Sequence, residues 1–190
     1  MAAAKSLTPA EIQKVLHYIA NNSNPLRNRL MFLCTAQAGM RVSEVAGLTI
    51  ADVRNANGTI KSEIYLSADR VKHEHARVVY VNSNLQQELA EYIATRKWFA
   101  DDQALFYTCK HIRRGFTANT MAQHFYWLYK KVGITCASSH SGRKTFLTSI
   151  ASQGISVFVL ASLAGHKSIA TTQRYITVND DMKRKAVELV

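Results

Sequence analysis

Residues 163–176 read LAGHKSIATTQRYI. The apolar front belongs to a helix, Gly165 is placed to end it, and His166 follows at once. Tyr175 stands nine residues after the histidine with no proline between them. A helix, a glycine stop and one further turn therefore carry an imidazole and a phenol in quick succession. Whether Tyr175 is a packed ring or a reactive hydroxyl depends on what the rest of the chain supplies.

Working outward, the downstream tail DDMKRKAVELV (180–190) reads as a small final helix, and everything upstream to about Asn119 is helical. SVFVLASLA (156–164) is short and apolar. HSGRKTFLTSIASQ (140–153), ended by Gly154, places His140 and Arg143 three residues apart on one face. NTMAQHFYWLYKK (119–131) turns Met121, Phe125 and Leu128 inward. At the other end of the chain Thr8-Pro9-Ala10-Glu11 is a capping box with proline at the first helical position, and Ile12, Val15, Leu16 and Ile19 recur at helical spacing. A second apolar helix spans about 25–38, stops near Gly39, and RVSEVAGL (41–48) starts another, with Arg41 and Glu44 one turn apart.

The period changes in the middle. TIKSEIYLS (59–67) and ARVVYV (76–81) alternate and are rich in β-branched residues, so they form a hairpin whose tip carries Asp69, Arg70, Lys72, His73, Glu74 and His75. NSNLQQELAEYIATRK (82–97) returns to a helix with Leu85, Leu89, Tyr92 and Ile93 on one face, and ALFYT (104–108) reads as a short third strand. The fold class is therefore α+β and predominantly helical, with a small antiparallel hairpin or three-stranded sheet at one edge. Repeats, low-complexity segments and Gly/Ser/Pro-rich linkers are missing from the sequence, which favours a single domain over residues 1–190. Residues 1–6 form its tail and 177–190 a C-terminal segment.

Lys and Arg total 24 against 13 Asp and Glu, a net charge of +11. That excess points to a polyanionic partner, nucleic acid before an anionic membrane surface. Cys34, Cys109 and Cys136 are far apart and odd in number, which fits reduced thiols and a cytoplasmic chain better than a disulfide framework or a CxxC metal site. The apolar core of a signal peptide is missing from the start, and no apolar run approaches membrane-spanning length. GHKS at 165–168 lacks the GxxxxGK[ST] spacing of a nucleotide phosphate loop. His73 and His75, flanking Glu74 at a turn, lack a fixed third ligand and read as solvated. No cofactor and no metal are expected.

Singly, each polar residue above has a plain structural explanation. In chain order they read Arg41, Lys72, His140-x-x-Arg143, Gly165-His166 and Tyr175. Through AGMRVSEVAGL, the hairpin bearing Lys72, HSGRKTF and LAGHKSIATTQRYI, the sequence resembles the catalytic domain of the tyrosine recombinases, the phage-integrase family. The resemblance covers nearly the whole chain, since LTPAEIQKVL also looks like that domain's first helix. It implies a site-specific recombinase that cleaves and rejoins DNA by transesterification through a 3′-phosphotyrosyl intermediate. Lys72 is chosen over Lys61 because the family's lysine commonly lies five residues before an arginine that opens the returning strand, here Arg77.

The chemistry suits those residue types. Guanidiniums keep their charge and bind two phosphate oxygens in one plane, so Arg41 and Arg143 are expected to clamp the phosphate, with His166 donating a third hydrogen bond. A tyrosine is ionised to only about one part in a thousand at neutral pH. Tyr175 as nucleophile therefore needs a proton acceptor or orienter, His140, and the departing alkoxide needs an acid, Lys72. Glu44 is expected to hold Arg41 or a neighbouring histidine.

Two departures from the family pattern stand out. Gly142 replaces the usual leucine between the histidine and arginine and costs about 1 kcal/mol of helix propensity. The chain also reads as a minimal form, or a fragment, without the helical DNA-gripping domain most relatives carry in front. The resemblance further implies a homotetramer on two double-stranded DNA sites, exchange of the C-terminal segment between subunits, an accessory DNA-bending protein, and a nucleoid-associated protein of prokaryotic, archaeal or phage origin. Two other readings share parts of the pattern: a type IB topoisomerase-like enzyme and a non-catalytic DNA-binding regulator.

Overall fold

The computed structural model describes residues 4–67, 76–96, 100–108, 111–176 and 180–188. The chain opens with α1 (Pro9–Ala20), where Thr8 Oγ1 accepts from Glu11 N and the Glu11 carboxylate accepts from Thr8 N, the reciprocal box read from the sequence. α2 (Pro25–Gln37) follows and is the central helix: Leu30, Met31, Phe32, Leu33, Cys34 and Thr35 are all buried. A helix buried on every face must be surrounded by other elements. α1, α5 (Ser83–Ala94) and α7 (Ser141–Ser152) pack around it. Between them lie the short α3 (Val42–Ala46) and α4 (Ile50–Val53).

The expected hairpin is present as β1 (Glu63–Leu66) and β2 (Arg77–Tyr80), paired antiparallel with Ile64 opposite Val79. The strand expected in ALFYT is present as β3 (Tyr107–Thr108). It pairs forward with β4 (His111–Gly115), which sequence reading did not identify, so the described strands make two separate two-stranded sheets. HIRRG lacks a clean alternation, and a register shift between Tyr107 and Thr108 marks the pairing as irregular, which is why it left little trace in the sequence.

α6 (Ala118–Val132) buries Met121, Phe125, Leu128 and Tyr129 and lies against α1 and α3. These elements close one large core that contains Val15, Leu30, Phe32, Leu48, Leu85, Phe106 and Phe125. A second, smaller cluster comprises Leu147, Ala151, Leu160 and Ala164, with Phe146, Ile150, Tyr175 and Ile176 packed at its edge. It joins α7 to α8 (Val157–Ala164) and to the turn after α9 (Ile169–Gln173). A terminal helix, α10, spans Asp180–Val187. Among the described residues no helix is long and apolar enough to cross a membrane, and no group of His, Cys, Asp and Glu is arranged to hold a metal ion.

Gly142 has a packing reason. A Cβ at this position would lie 2.1 Å from Thr35 Oγ1, so only glycine lets α7 approach α2 this closely. The helix propensity lost there is exchanged for a close helix contact that seats the next residue, Arg143, in the interior.

Candidate active site

The site grows from a buried carboxylate. Glu44 sits in the first turn of α3 and is 3% exposed. Its Oε2 accepts from Arg41 N at 2.6 Å and from Arg77 Nη2 at 2.6 Å; its Oε1 accepts from Arg41 Nη1 at 2.7 Å and Arg77 Nε at 3.1 Å. Burial pushes this carboxyl up, but the hydrogen bonds and charges of Arg77 and Arg41 outweigh that and hold it below its usual range. Glu44 therefore stays ionised between two guanidiniums.

The end of α8 supplies the second support. The last carbonyls of a helix lack intrahelical donors and carry the negative end of its dipole. Three successive ones are taken by three arginines: Leu163 O accepts from Arg77 Nη1 at 2.8 Å, Ala164 O from Arg143 Nη2, and Gly165 O from Arg41 Nη2 at 3.4 Å. Gly165 makes this possible. Its φ of +60° closes a Schellman-type cap, with Gly165 N donating to Ser162 O and His166 N to Ala161 O, both at 3.0 Å. A Cβ there would also meet Arg77 Cδ at 2.6 Å.

Arg143 is held differently from its neighbours. It is 5% exposed, and its partners are the neutral carbonyls of Gly39 and Ala164, together with His166 Nε2 at 3.3 Å from Nη2. Burial, then the charges of Arg41 and Arg77, draw its pKa down to about 9, against a smaller opposing effect of Glu44 and the Tyr175 phenol. It remains a cation at neutral pH, and no carboxylate among the described residues is bonded to it. Among the described residues, two guanidiniums thus bind the Glu44 carboxylate and a third lies beside them on neutral carbonyls, leaving an excess of positive charge partly out of water. Such a site favours an anion with several acceptor oxygens.

His166 and Tyr175 border this charge. The imidazole stacks on the Tyr175 ring with centroids 5.9 Å apart and planes at 21°, and its Nδ1 lies 2.8 Å from Thr172 Oγ1. Burial, then the charges of Arg143, Arg41 and Arg77, lowers the His166 pKa to about 4, so the ring is neutral at pH 7. Tyr175 is partly buried; its backbone N–H donates to Thr172 O at 2.9 Å, and the small cluster supports its ring.

Of the six residues singled out in the sequence, Arg41, Arg143, His166 and Tyr175 are brought together. His140 is exposed and lies at the N-cap of α7, one position outside the helix that buries Arg143. Lys72 lies outside the described residues, as do His73, Glu74 and His75. Two residues of the site were missed. Arg77 served only as a landmark for placing the lysine, yet it is 9% exposed and tied to both Glu44 and Leu163. Its signal was the two-residue period of ARVVYV, which puts Arg77 on the same buried face as Val79 and Val81. Thr172 is fully buried at 0%; in a helix this short, no periodicity distinguished it from Thr171.

Comparison with known proteins bears on the family and the fold. The family model described as the phage integrase family matches residues 5–182. Tyrosine recombinase XerA of Pyrococcus horikoshii is 30% identical over 189 residues, covering 97% of this chain and 60% of its own length. A crystal structure of XerA recombinase superposes with a TM-score of 0.77 at 26% identity, covering 100% of this chain and 66% of that one. The Tn1549 transposon integrase, solved in complex with a circular intermediate DNA, shares the fold with a TM-score of 0.77 at 24% identity, covering 100% of this chain and 67% of its own. The chain thus spans about 60% of the length of the curated relatives it matches.

Proposed function

The chain belongs to the phage integrase family, and from that premise we propose that residues 1–190 form a catalytic domain that cleaves and rejoins double-stranded DNA by transesterification, as a site-specific recombinase. The observation that carries the reading is the pair Arg41 and Arg77 on the carboxylate of Glu44 with Arg143 beside them on neutral carbonyls, bordered by His166 and Tyr175.

In this reading Tyr175 oxygen attacks the scissile phosphorus. A phosphotyrosyl bond forms to the 3′ end, the bond to the 5′ oxygen breaks, and a 5′-hydroxyl leaves. The transition state gathers negative charge on the phosphate oxygens. Arg41 and Arg143 face that charge already positioned by Glu44 and by the carbonyls of Gly39, Ala164 and Gly165, so little reorganisation remains to be done during the reaction. His140 takes the phenol proton and Lys72 delivers one to the departing oxygen. Arg77, five residues after that lysine, anchors the returning strand to the site. Rejoining reverses the steps, with the 5′-hydroxyl of a partner strand as the attacking group. The covalent link conserves the phosphodiester's energy, so no nucleotide cofactor is required.

We place the protein on duplex DNA as a homotetramer spanning two sites, with the C-terminal segment docking between subunits and an accessory protein bending the DNA. Trapping on a nicked suicide substrate tests the chemistry. The wild-type chain should give a protein–DNA adduct that survives SDS, and Tyr175→Phe should give none while still binding DNA. Binding without an adduct in both proteins would instead indicate a DNA-binding regulator.

A further inference from the structure

We propose that Thr172 is a positioning residue whose hydroxyl pairs with Nδ1 of His166 in both of its neutral tautomers, and that the imidazole changes tautomer when a phosphate enters the site. The inference rests on the phosphoryl-transfer reading above and assigns a role to a side chain that does not itself touch the reacting atoms.

Where no oxyanion is bound, the tautomer follows from counting donors. A guanidinium has donors only, so where Arg143 Nη2 faces His166 Nε2 at 3.3 Å, the imidazole nitrogen must offer its lone pair. The ring is neutral at pH 7, because burial and the surrounding guanidiniums disfavour its charged form. Its one proton is therefore on Nδ1, where it donates to Thr172 Oγ1 at 2.8 Å.

That tautomer is the wrong one for the reaction. A phosphate oxygen arriving between Arg143 Nη2 and His166 Nε2 is an acceptor. It is bound by the Arg143 N–H but repelled by a lone pair on Nε2. To contribute a hydrogen bond, His166 must present Nε2–H. The change conserves charge: Nδ1 gives its proton to water, Nε2 gains one from water, and the ring stays neutral. Nδ1 is then a bare acceptor 2.8 Å from Thr172, and the threonine hydroxyl turns to donate to it. A hydroxyl is both donor and acceptor and serves the two tautomers without moving its oxygen. Valine, of nearly the same shape, serves neither.

The setting supports this. His166 is partly exposed and exchanges its protons with solvent, whereas Thr172 is at 0% exposure and holds the inner position with its own hydroxyl. Thr172 lies in the five-residue α9, and its carbonyl accepts from the Tyr175 N–H. One residue thus contacts both the imidazole and the turn that carries the phenol.

Nitrogen-15 spectroscopy of histidine-labelled protein tests the proposal without DNA, using orthovanadate as a tetrahedral oxyanion. Wild-type His166 should show a protonated Nδ1 when free and a protonated Nε2 when saturated with vanadate. Thr172→Ser should switch in the same way. In Thr172→Val nothing holds Nδ1, so the ring is no longer fixed against Arg143 or the oxyanion; a mixture of both tautomers should appear with and without vanadate, and vanadate should bind about tenfold more weakly, the scale expected for one lost buried hydrogen bond. A protonated Nε2 already present in free wild type, a wild-type ring that does not switch, or an intact switch in Thr172→Val would each overturn the proposal. If Thr172→Val fails to fold, the wild-type and Thr172→Ser titrations still decide it. A missing Tyr175 adduct would count against the strand-cleavage reading and leave the tautomer measurement standing on its own.

Discussion

The two hydrophobic clusters of this chain differ in depth, and the site lies across the boundary between them. The large one surrounds α2 and carries Glu44, and with it Arg41 and Arg77, on side chains fixed by several hydrogen bonds. The small one rests on Leu147, Ala151, Leu160 and Ala164, and Tyr175 packs at its rim. Charge stabilisation works best when the donors are already in place, whereas a nucleophile has to advance and withdraw. A thin core beneath Tyr175 and a thick one beneath the arginines match these separate demands.

The strongest way to break the comparison is to remove the carboxylate that organises the rigid side. Glu44→Ala leaves Arg77 buried with its charge unpaired, and losing one partner of a buried pair costs about 3–5 kcal/mol. Urea denaturation should show a loss of that size, and DNA cleavage should fall even where the protein remains folded. A loss below about 1 kcal/mol would be the signature of an exposed pair and would contradict the burial.

Arg143→Lys tests whether the fixed fork matters apart from the charge. An ammonium cannot reach the Gly39 and Ala164 carbonyls and a phosphate in one plane. Single-turnover cleavage should drop about 100- to 1000-fold, or about 3–4 kcal/mol, the usual loss for one preorganised donor. DNA affinity should change much less, since many other cations contribute to it.

The sequence made one side of this boundary easier to read than the other. Helical periodicity exposed α1, α5 and α6, because their buried residues recur at i, i+3 and i+4, and the Thr8–Glu11 box announced its own cap. Gly165, His166 and Tyr175 were visible because a glycine stop constrains the residues just beyond it. β4 was hidden by its irregular register. Arg77 was hidden because a charged residue at the start of a strand is normally solvated; it is buried here only because Glu44 and Leu163, far away in sequence, converge on it. Gly142 was readable only as a cost to its helix, since its benefit lies in contact with Thr35 on another element. Arg77 and Gly142 share one property: each is defined by a long-range partner.

Matched truncations sharpen the contrast between the cores. Leu30 and Leu160 are both 0% exposed. Leu30→Ala opens a cavity in densely surrounded α2 and should cost about 4 kcal/mol, whereas Leu160→Ala lies in a small cluster able to collapse and should cost about 2–3 kcal/mol. Hydrogen exchange should separate them further. In Leu160→Ala, amides of α8 and α9 should exchange through a partial opening that leaves α2 and α5 protected. Equal acceleration in α2 would mean that the two clusters open as one unit.

The smallest effect is set by acid, and it too divides along the boundary. His124 of α6 packs between Phe116 and Phe125, and burial, then the charges of Arg27 and Lys131, lowers its pKa to about 4; its Nε2 is buried without a hydrogen-bond partner among the described residues. His166 is lowered to about 4 as well, on the other side. For a histidine whose folded pKa lies below its unfolded value near 6.5, the unfolded chain binds more protons between the two values. Stability therefore falls as pH drops from about 6.5 toward about 4, and is unaffected by these groups above that window. His124→Phe removes the contribution of the large core and should recover about 1–2 kcal/mol of the loss in urea midpoints measured between pH 7 and pH 4.5. His166→Asn should instead act mainly on the local opening of α8 and α9 at pH 4.5. If His124→Phe leaves the acid limb unchanged while His166→Asn flattens it, the large core is not what acid attacks first, and the depth assigned to the two clusters must be reversed.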